Sequence, residues 1–247
     1  MGTPDVSTSR PAFYALAPGG WRDYLTLLHP PYTLWHLSYV AIGAALAPDL
    51  EVDRLLLALM AFFLALGIGA HALDELKGHP LQTRISDRTL VWLSVVSMGG
   101  AVAIGVYATF AYTAWLAPFV AAGAFFVFAY NLEWFGGAFH SDLWFALGWG
   151  SFPLLTAYLA VAERITIEAL LAAAFAGFLS LAQRHLSTQV RTVRRRVVGV
   201  SGTLELADGA YEPVTAETLT RAPEAALRAM TLAVASLAVG LVVLRLS

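Results

Sequence analysis

Residues 89–132 read TLVWLSVVSMGGAVAIGVYATFAYTAWLAPFVAAGAFFVFAYNL, a run of 44 residues without one Asp, Glu, Lys or Arg. As a single helix rising about 1.5 Å per residue it would be about 66 Å long, twice the roughly 30 Å of a bilayer core. The run therefore has to fold back on itself, and Ala108 to Tyr112 is the expected turn. Two adjacent apolar helices of spanning length decide the fold class, and the rest of the chain repeats the pattern.

Outward from this run, Leu55–Leu73 and Leu143–Ala162 carry no charge. Tyr32–Pro48, Ile167–Gln183 and Ala225–Leu244 complete an expected all-α integral membrane bundle of about seven transmembrane helices. Composition agrees. Hydrophobic residues make up 58% and charged residues 13% of the 247-residue chain, against about 25% charged in soluble domains. Mean hydropathy is +0.67. Apolar and polar residues do not alternate as they would in a membrane β-barrel. The net charge of −2 leaves no basic field for nucleic acid, and the absence of cysteine excludes disulfides and thiolate sites.

Four segments follow. Residues 1–31 are an N-terminal cytoplasmic or interfacial segment, with Trp21–Leu28 a short interfacial helix and no apolar run of the signal-peptide kind. Residues 32–183 form a six-helix membrane bundle. Residues 184–222 are a basic cytoplasmic loop containing a small β-hairpin, with strands at Val197–Val200 and Thr203–Leu206 and a turn signal at Asp208-Gly209. Residues 223–247 are the final transmembrane helix, with Pro223 and Glu224 in its first turn. Seven spans put twelve of the 15 Lys and Arg residues on one side and only Arg54, Arg164 and Arg245 on the other. The positive-inside rule then places the N-terminus in the cytoplasm and the C-terminus outside, in a bacterial or archaeal cell membrane.

Ionisable groups at a membrane boundary are costly and mark candidate sites. They cluster at the cytoplasmic helix ends. His71, Asp74 and Glu75 follow the second span at i, i+3 and i+4, a spacing at which one helix face can present ligands to a divalent cation. Lys77 and Arg84 lie just beyond. The fourth span ends in Asn131 and Glu133, followed by His140 and Asp142. The sixth ends in Gln183, Arg184 and His185, followed by Arg191, whose guanidinium chemistry suits phosphate. His29 and His36 flank the first span. All six histidines fall on or near this side.

Several of these stretches resemble the UbiA superfamily of intramembrane prenyltransferases. Tyr24–Leu34, running on to Gly43–Ala47, is similar to the family's opening, with His29 in place of an arginine before Pro30. His71–Ser86 stands where the first aspartate-rich motif belongs. His79-Pro-Leu-Gln-Thr-Arg-Ile-Ser86 resembles the family's Arg-Pro-Leu-Pro-Ser-Gly-Arg-Ile-Ser. Ser141–Tyr158, with Gly148, Gly150, Pro153 and Tyr158, is similar to the opening of the family's fifth helix. The resemblance implies a polyprenyl diphosphate or other isoprenoid lipid as substrate, held at a cytoplasm-facing intramembrane site within the membrane lipids. It also implies Mg²⁺, here on Asp74 and Glu75.

The departures from the family pattern are specific. The first aspartate-rich motif is reduced to Asp74 with Glu75. The second is absent, its place taken by Gln183-Arg184-His185. The family's nine helices become seven. In the reading that follows, Asp74, Glu75 and Asp142 are catalytic. Lys77, Arg184 and Arg191 stand in for the missing metal. Glu133 or Asp142 orients the acceptor. His71, Arg84, Asn131, His140, Tyr158, Gln183 and His185 contact substrate, and Trp35, Tyr39, Phe125, Trp144 and Trp149 wall an apolar chamber. Two other readings remain open: a non-catalytic lipid- or quinone-binding protein on the same scaffold, and a metal or haem protein using His71, Glu75, His79, His140 and His185.

Overall fold

A computed structural model describes residues 10–247; residues 1–9 of the expected N-terminal segment lie outside the described part. The chain is a helical bundle. Helix α1, Trp21–Leu27, is the expected short element. It is followed by α2 (Pro30–Ala45), α3 (Val52–Glu75), α4 (Asp87–Ala111), α5 (Leu116–Asn131), α6 (Asp142–Ala162), α7 (Ile167–Arg196) and α8 (Ala216–Leu246). Five of these, α3, α4, α6, α7 and α8, are long and apolar enough to cross a membrane. Helices α2 and α5, of 16 residues each, are about 24 Å long at 1.5 Å per residue. The uncharged run folds back at Tyr112–Trp115, between the end of α4 and the start of α5 and slightly later than the sequence implies.

Two helices contain π-helical segments, Phe63–Ala70 in α3 and Ala146–Ser151 in α6. A π-turn widens the helix and frees its carbonyls for side chains, and such segments recur at functional sites. Both outcomes occur here. His71 Nδ1 sits 3.1 Å from the Gly67 carbonyl, and His36 Nδ1 sits 2.8 Å from the Trp149 carbonyl. The bundle closes through small residues. A Cβ on Gly43 of α2 would lie 2.1 Å from the Leu154 carbonyl oxygen of α6, and one on Gly150 would lie 2.6 Å from the Ala176 oxygen of α7. These contacts bring α2, α6 and α7 together around Trp35, Tyr39, Ile42 and Leu154, with Val234 of α8 completing the core.

Two parts of the segment 184–222 depart from expectation. First, α7 does not end at Gln183 but runs to Arg196, and α8 starts at Ala216 rather than Pro223. The extensions support each other: Arg194 pairs with Glu224 at 2.5 Å. Pro223, inside α8, has no N–H for the Leu219 carbonyl one turn back. Gln189 Nε2 of α7 donates to that carbonyl instead, at 3.3 Å. The start of α8 is fixed by a capping box in which Thr215 and Thr218 exchange side-chain and backbone hydrogen bonds. Second, Val197–Val200 forms no strand. The two-stranded antiparallel sheet pairs β1, Thr203–Glu205, with β2, Tyr211–Pro213. They flank a turn at Asp208-Gly209, where Asp208 accepts from the Ala210 N–H at 3.0 Å and Gly209 has φ +85°.

Polar contacts sort into two layers at opposite ends of the bundle. One holds Arg54–Glu163, Tyr112–Asp53 and the bonds from Arg245 to the Ala45 and Ala47 carbonyls. The other holds Lys77–Glu133, Arg184–Asp142, Arg194–Glu224 and the bond from Arg195 to Pro11. The apolar helix lengths lie between them.

Candidate functional site

The second layer surrounds a polar chamber. Helix α2 supplies Tyr32 and His36, α3 supplies His71 and Asp74, α5 supplies Tyr130 and Asn131, α6 supplies Trp149, and α7 supplies Gln183, Arg191 and Arg195. The N-terminal turn Pro11–Tyr14 lines one side of the chamber. It is tied there by the Arg195 Nε bond to the Pro11 carbonyl at 3.2 Å and by Tyr14 Oη, 2.8 Å from His29 Nδ1. The Arg228 guanidinium stands 5.0 Å over the Phe13 ring.

Of the residues singled out in the sequence, His71, Asp74, Asn131, His140, Gln183 and Arg191 meet in this chamber. The other polar residues given a catalytic or substrate role do not line it. Lys77 and Glu133 pair with each other at 2.7 Å. Asp142 pairs with Arg184 at 2.5 Å, and the exposed His185 lies 4.0 Å from the same carboxylate. Arg184 also donates to the Tyr130 hydroxyl and lies 5.1 Å over the Phe145 ring, so it braces the chamber wall from behind. The Arg84 side chain is exposed, and its N–H binds Asp23. Tyr158 hydrogen-bonds Thr166 at 3.0 Å in the other layer. Among the expected aromatic walls, Trp35 and Tyr39 belong to the packed core, whereas Trp149 lines the chamber.

Glu75 has a different role from the one expected. It is fully buried and accepts hydrogen bonds from Leu81 N, Thr83 N and Thr83 Oγ1 at 3.0, 3.0 and 2.8 Å. Its carboxylate organises the loop 76–86. Asp23 works in parallel, joining Gly19 N at 2.8 Å to Arg84 N at 3.0 Å. This bears directly on Mg²⁺, which takes several oxygen ligands in octahedral geometry. Asp74 alone faces the chamber, Glu75 is engaged by three donors, and no group of three His, Asp or Glu side chains capable of holding a metal occurs among the described residues. The donor set does not fit the two-carboxylate Mg²⁺ site that the resemblance implies. A histidine metal or haem site fits no better. Of His71, Glu75, His79, His140 and His185, only His71 and His140 line the chamber, and no three of them come together among the described residues; His71 instead stacks face to face on His29, centroids 4.0 Å apart and planes 10° from parallel.

Tyr14, Tyr32 and Arg195 also line the chamber without a site role in the sequence reading, and so do His29 and His36, which that reading named only as candidate ionisable groups around the first span. Two of them carried a signal. Arg195 lies one helical turn beyond Arg191, a spacing that counts only once α7 is known to continue past the membrane boundary. His29 precedes Pro30-Pro31 and holds a left-handed backbone, φ 46° and ψ 58°, which turns its ring inward.

Burial, and then the charges of His71, Arg195, Arg191 and His36, hold the His29 imidazole well below its ordinary value, so it is neutral at pH 7. Burial raises Tyr14 well above the usual tyrosine range. The sign follows from linkage. A histidine depressed by folding contributes stability that is complete above its unfolded value of about 6.5 and is lost as pH falls below it. Thermal unfolding in detergent is therefore expected to show a midpoint that drops from pH 7.5 to 5. The drop should be smaller in His29→Asn, and an equal drop in both proteins would rule out this assignment.

Behind Trp149 a second cavity opens between α3, α4, α5 and α6. Its lining is almost wholly apolar, with Ala61, Ala65, Ala101 and Gly105 among many small residues. Trp149 lines both cavities. Its ring stacks on Phe145 at 5.6 Å and meets Tyr130 at 4.3 Å, which places an aromatic partition where polar and apolar space adjoin. No protein-family model matches this chain, and neither a curated protein nor a solved structure matches it.

Proposed function

We propose that this chain crosses a prokaryotic membrane seven times, N-terminus in the cytoplasm, and acts as a divergent UbiA-like prenyltransferase on a polyprenyl diphosphate. One observation carries the reading: the polar chamber and the apolar cavity share Trp149 as a common wall. Such a pair of spaces suits an amphiphile with a charged head and a long apolar chain. The chemistry that fits is transfer at the junction. The bond between C1 of the prenyl chain and the diphosphate oxygen breaks, and the diphosphate leaves with the electron pair. The allylic cation faces the Tyr130, Phe145 and Trp149 rings, whose π faces favour positive charge. An acceptor nucleophile bonds to C1, and its proton passes to Asp74, the chamber's carboxylate.

The test is diphosphate release by the purified full chain in nanodiscs, with farnesyl or geranylgeranyl diphosphate and phenolic or quinol acceptors. Release is expected, and loss of the general base in Asp74→Asn should slow it by about 100-fold. A second reading, a non-catalytic carrier of prenyl lipids or quinones, is favoured by the single carboxylate in the chamber. Saturable prenyl-lipid binding without diphosphate release under any condition would select that reading. Absence of both binding and release would overturn the two together.

A further inference from the structure

We propose that the head group in the polar chamber is a phosphate or diphosphate ester held by guanidinium and neutral hydrogen-bond donors in place of a divalent cation. This deepens the reading above and rests on it for the identity of the lipid chain. Arg191 and Arg195 lie one turn apart on α7, and both line the chamber. Arg54, Arg184 and Arg194 each pair with a carboxylate. Neither Arg191 nor Arg195 has such a partner among the described residues. Arg191 donates one bond to Thr188, at 3.0 Å, and Arg195 uses only its Nε on Pro11, so both forks keep donors for a ligand. Among the described residues, Asp74 is the sole carboxylate in the lining. Two guanidinium groups against one carboxylate leave an excess positive charge that an anion completes.

Two buried polar atoms point to the same occupant. Among the described residues, His29 Nε2 and Gln183 Oε1 have no hydrogen-bond partner. Both residues line the chamber and are more than nine-tenths buried, 7% and 4% exposed. Buried polar groups are nearly always paired, and an orphaned one marks a place where something else binds. With the Tyr14 hydroxyl donating to His29 Nδ1, the Nε2–H is free to donate to a phosphate oxygen. Gln183 Oε1 can accept from a protonated phosphate or an acceptor hydroxyl. The donor set is thus assembled from α2 and α7, the opposite side of the chamber from the reduced aspartate motif on α3.

The experiment is a binding titration of the full chain in nanodiscs, read by tryptophan fluorescence, with Trp149 in the chamber wall as the reporter. Farnesyl diphosphate, farnesol and inorganic pyrophosphate serve as probes, each in excess EDTA and in excess Mg²⁺. Farnesyl diphosphate affinity is expected to be the same in EDTA and Mg²⁺ to within about threefold, and to weaken as ionic strength rises. Losing a charge-assisted fork, Arg191→Gln should weaken it by about tenfold or more, Arg195→Lys by less, with farnesol binding unchanged. Among the described residues Arg191 bonds only to its own helix, so its replacement leaves the thermal unfolding midpoint in place and isolates binding from folding.

A tenfold or greater loss in EDTA that Mg²⁺ restores would overturn the inference, as would wild-type affinity in both arginine variants. Metal-free, Arg191-dependent binding of pyrophosphate as tight as that of farnesyl diphosphate would sustain the anion site and sink the prenyl reading. Farnesol binding with no preference for the diphosphate would do the reverse. No binding of any probe would sink both.

Discussion

Glu75→Ala is expected to destabilise the protein by about 3–5 kcal/mol, since it strands buried donors that water reaches only in part. The carboxylate is fully buried and accepts from Leu81 N, Thr83 N and Thr83 Oγ1. An orphaned buried donor costs ~1–3 kcal/mol, and the three compete for one replacement. The loop they hold carries Leu81 and Ile85. Ile85 packs with Leu27, Ala72 and Leu90 in one small core, and Leu81 with Ala12 and Ala15 in another. Loss of Glu75 therefore loosens α1 and the N-terminal turn at the chamber as well. Glu75→Gln keeps the shape but turns an amide N–H₂ toward a donor, so it should fall between wild type and alanine. The thermal unfolding midpoint in detergent checks the order wild type, glutamine, alanine. If Glu75 instead served as a metal ligand, glutamine would abolish Mg²⁺-dependent binding and leave the midpoint unchanged, and that outcome would refute the structural assignment.

Glu75 also shows how far the sequence could be read. Spacing i, i+3, i+4 puts His71, Asp74 and Glu75 within one broad face, yet successive residues of an α-helix point about 100° apart. His71 and Asp74 turn into the chamber, and Glu75, one step on, turns into the loop behind it. Sequence spacing has no means of deciding which neighbour that face meets. Hydropathy reads the helical rods well where lipid dictates them, as in the run 89–132. It reads α7 and α8 poorly beyond the boundary, because Gln183–Arg196 is polar and helical at once. The internal evidence for that extension is the periodic burial of Gln183, Ser187 and Val190 on one face, visible only once the partner helix is in place. Tyr14 and His29 were hardest to assign to the chamber. One lies in an N-terminal turn with no periodicity and the other at a left-handed residue before α2, and their meeting depends on how the N-terminal segment crosses the bundle.

Ala65→Trp is expected to abolish binding of long prenyl chains while sparing short ones. Ala65 lies on the π-helical segment of α3 and lines the apolar cavity, where Ala101, Gly105, Gly123 and Ala124 leave the space open from the other helices. Geranylgeranyl diphosphate carries three isoprene units more than dimethylallyl diphosphate. Burial of each methylene-sized group is worth about 0.8 kcal/mol, so those units bring a potential of roughly 12 kcal/mol before ordering costs. Losing even a quarter of that, about 3 kcal/mol, weakens affinity by on the order of 100-fold. A five-carbon chain ends at the Trp149 partition and does not enter the filled region, so dimethylallyl diphosphate should bind as to wild type. Ala124→Trp fills the same cavity from α5 and should give the same selectivity, which separates a blocked chamber from a local packing defect on α3. Titration of both diphosphates against both variants checks this, with the unfolding midpoint as the measure of an intact bundle. Undiminished affinity for geranylgeranyl diphosphate in both would show that the chain lies elsewhere. It would remove the head-and-tail geometry on which the prenyl reading depends.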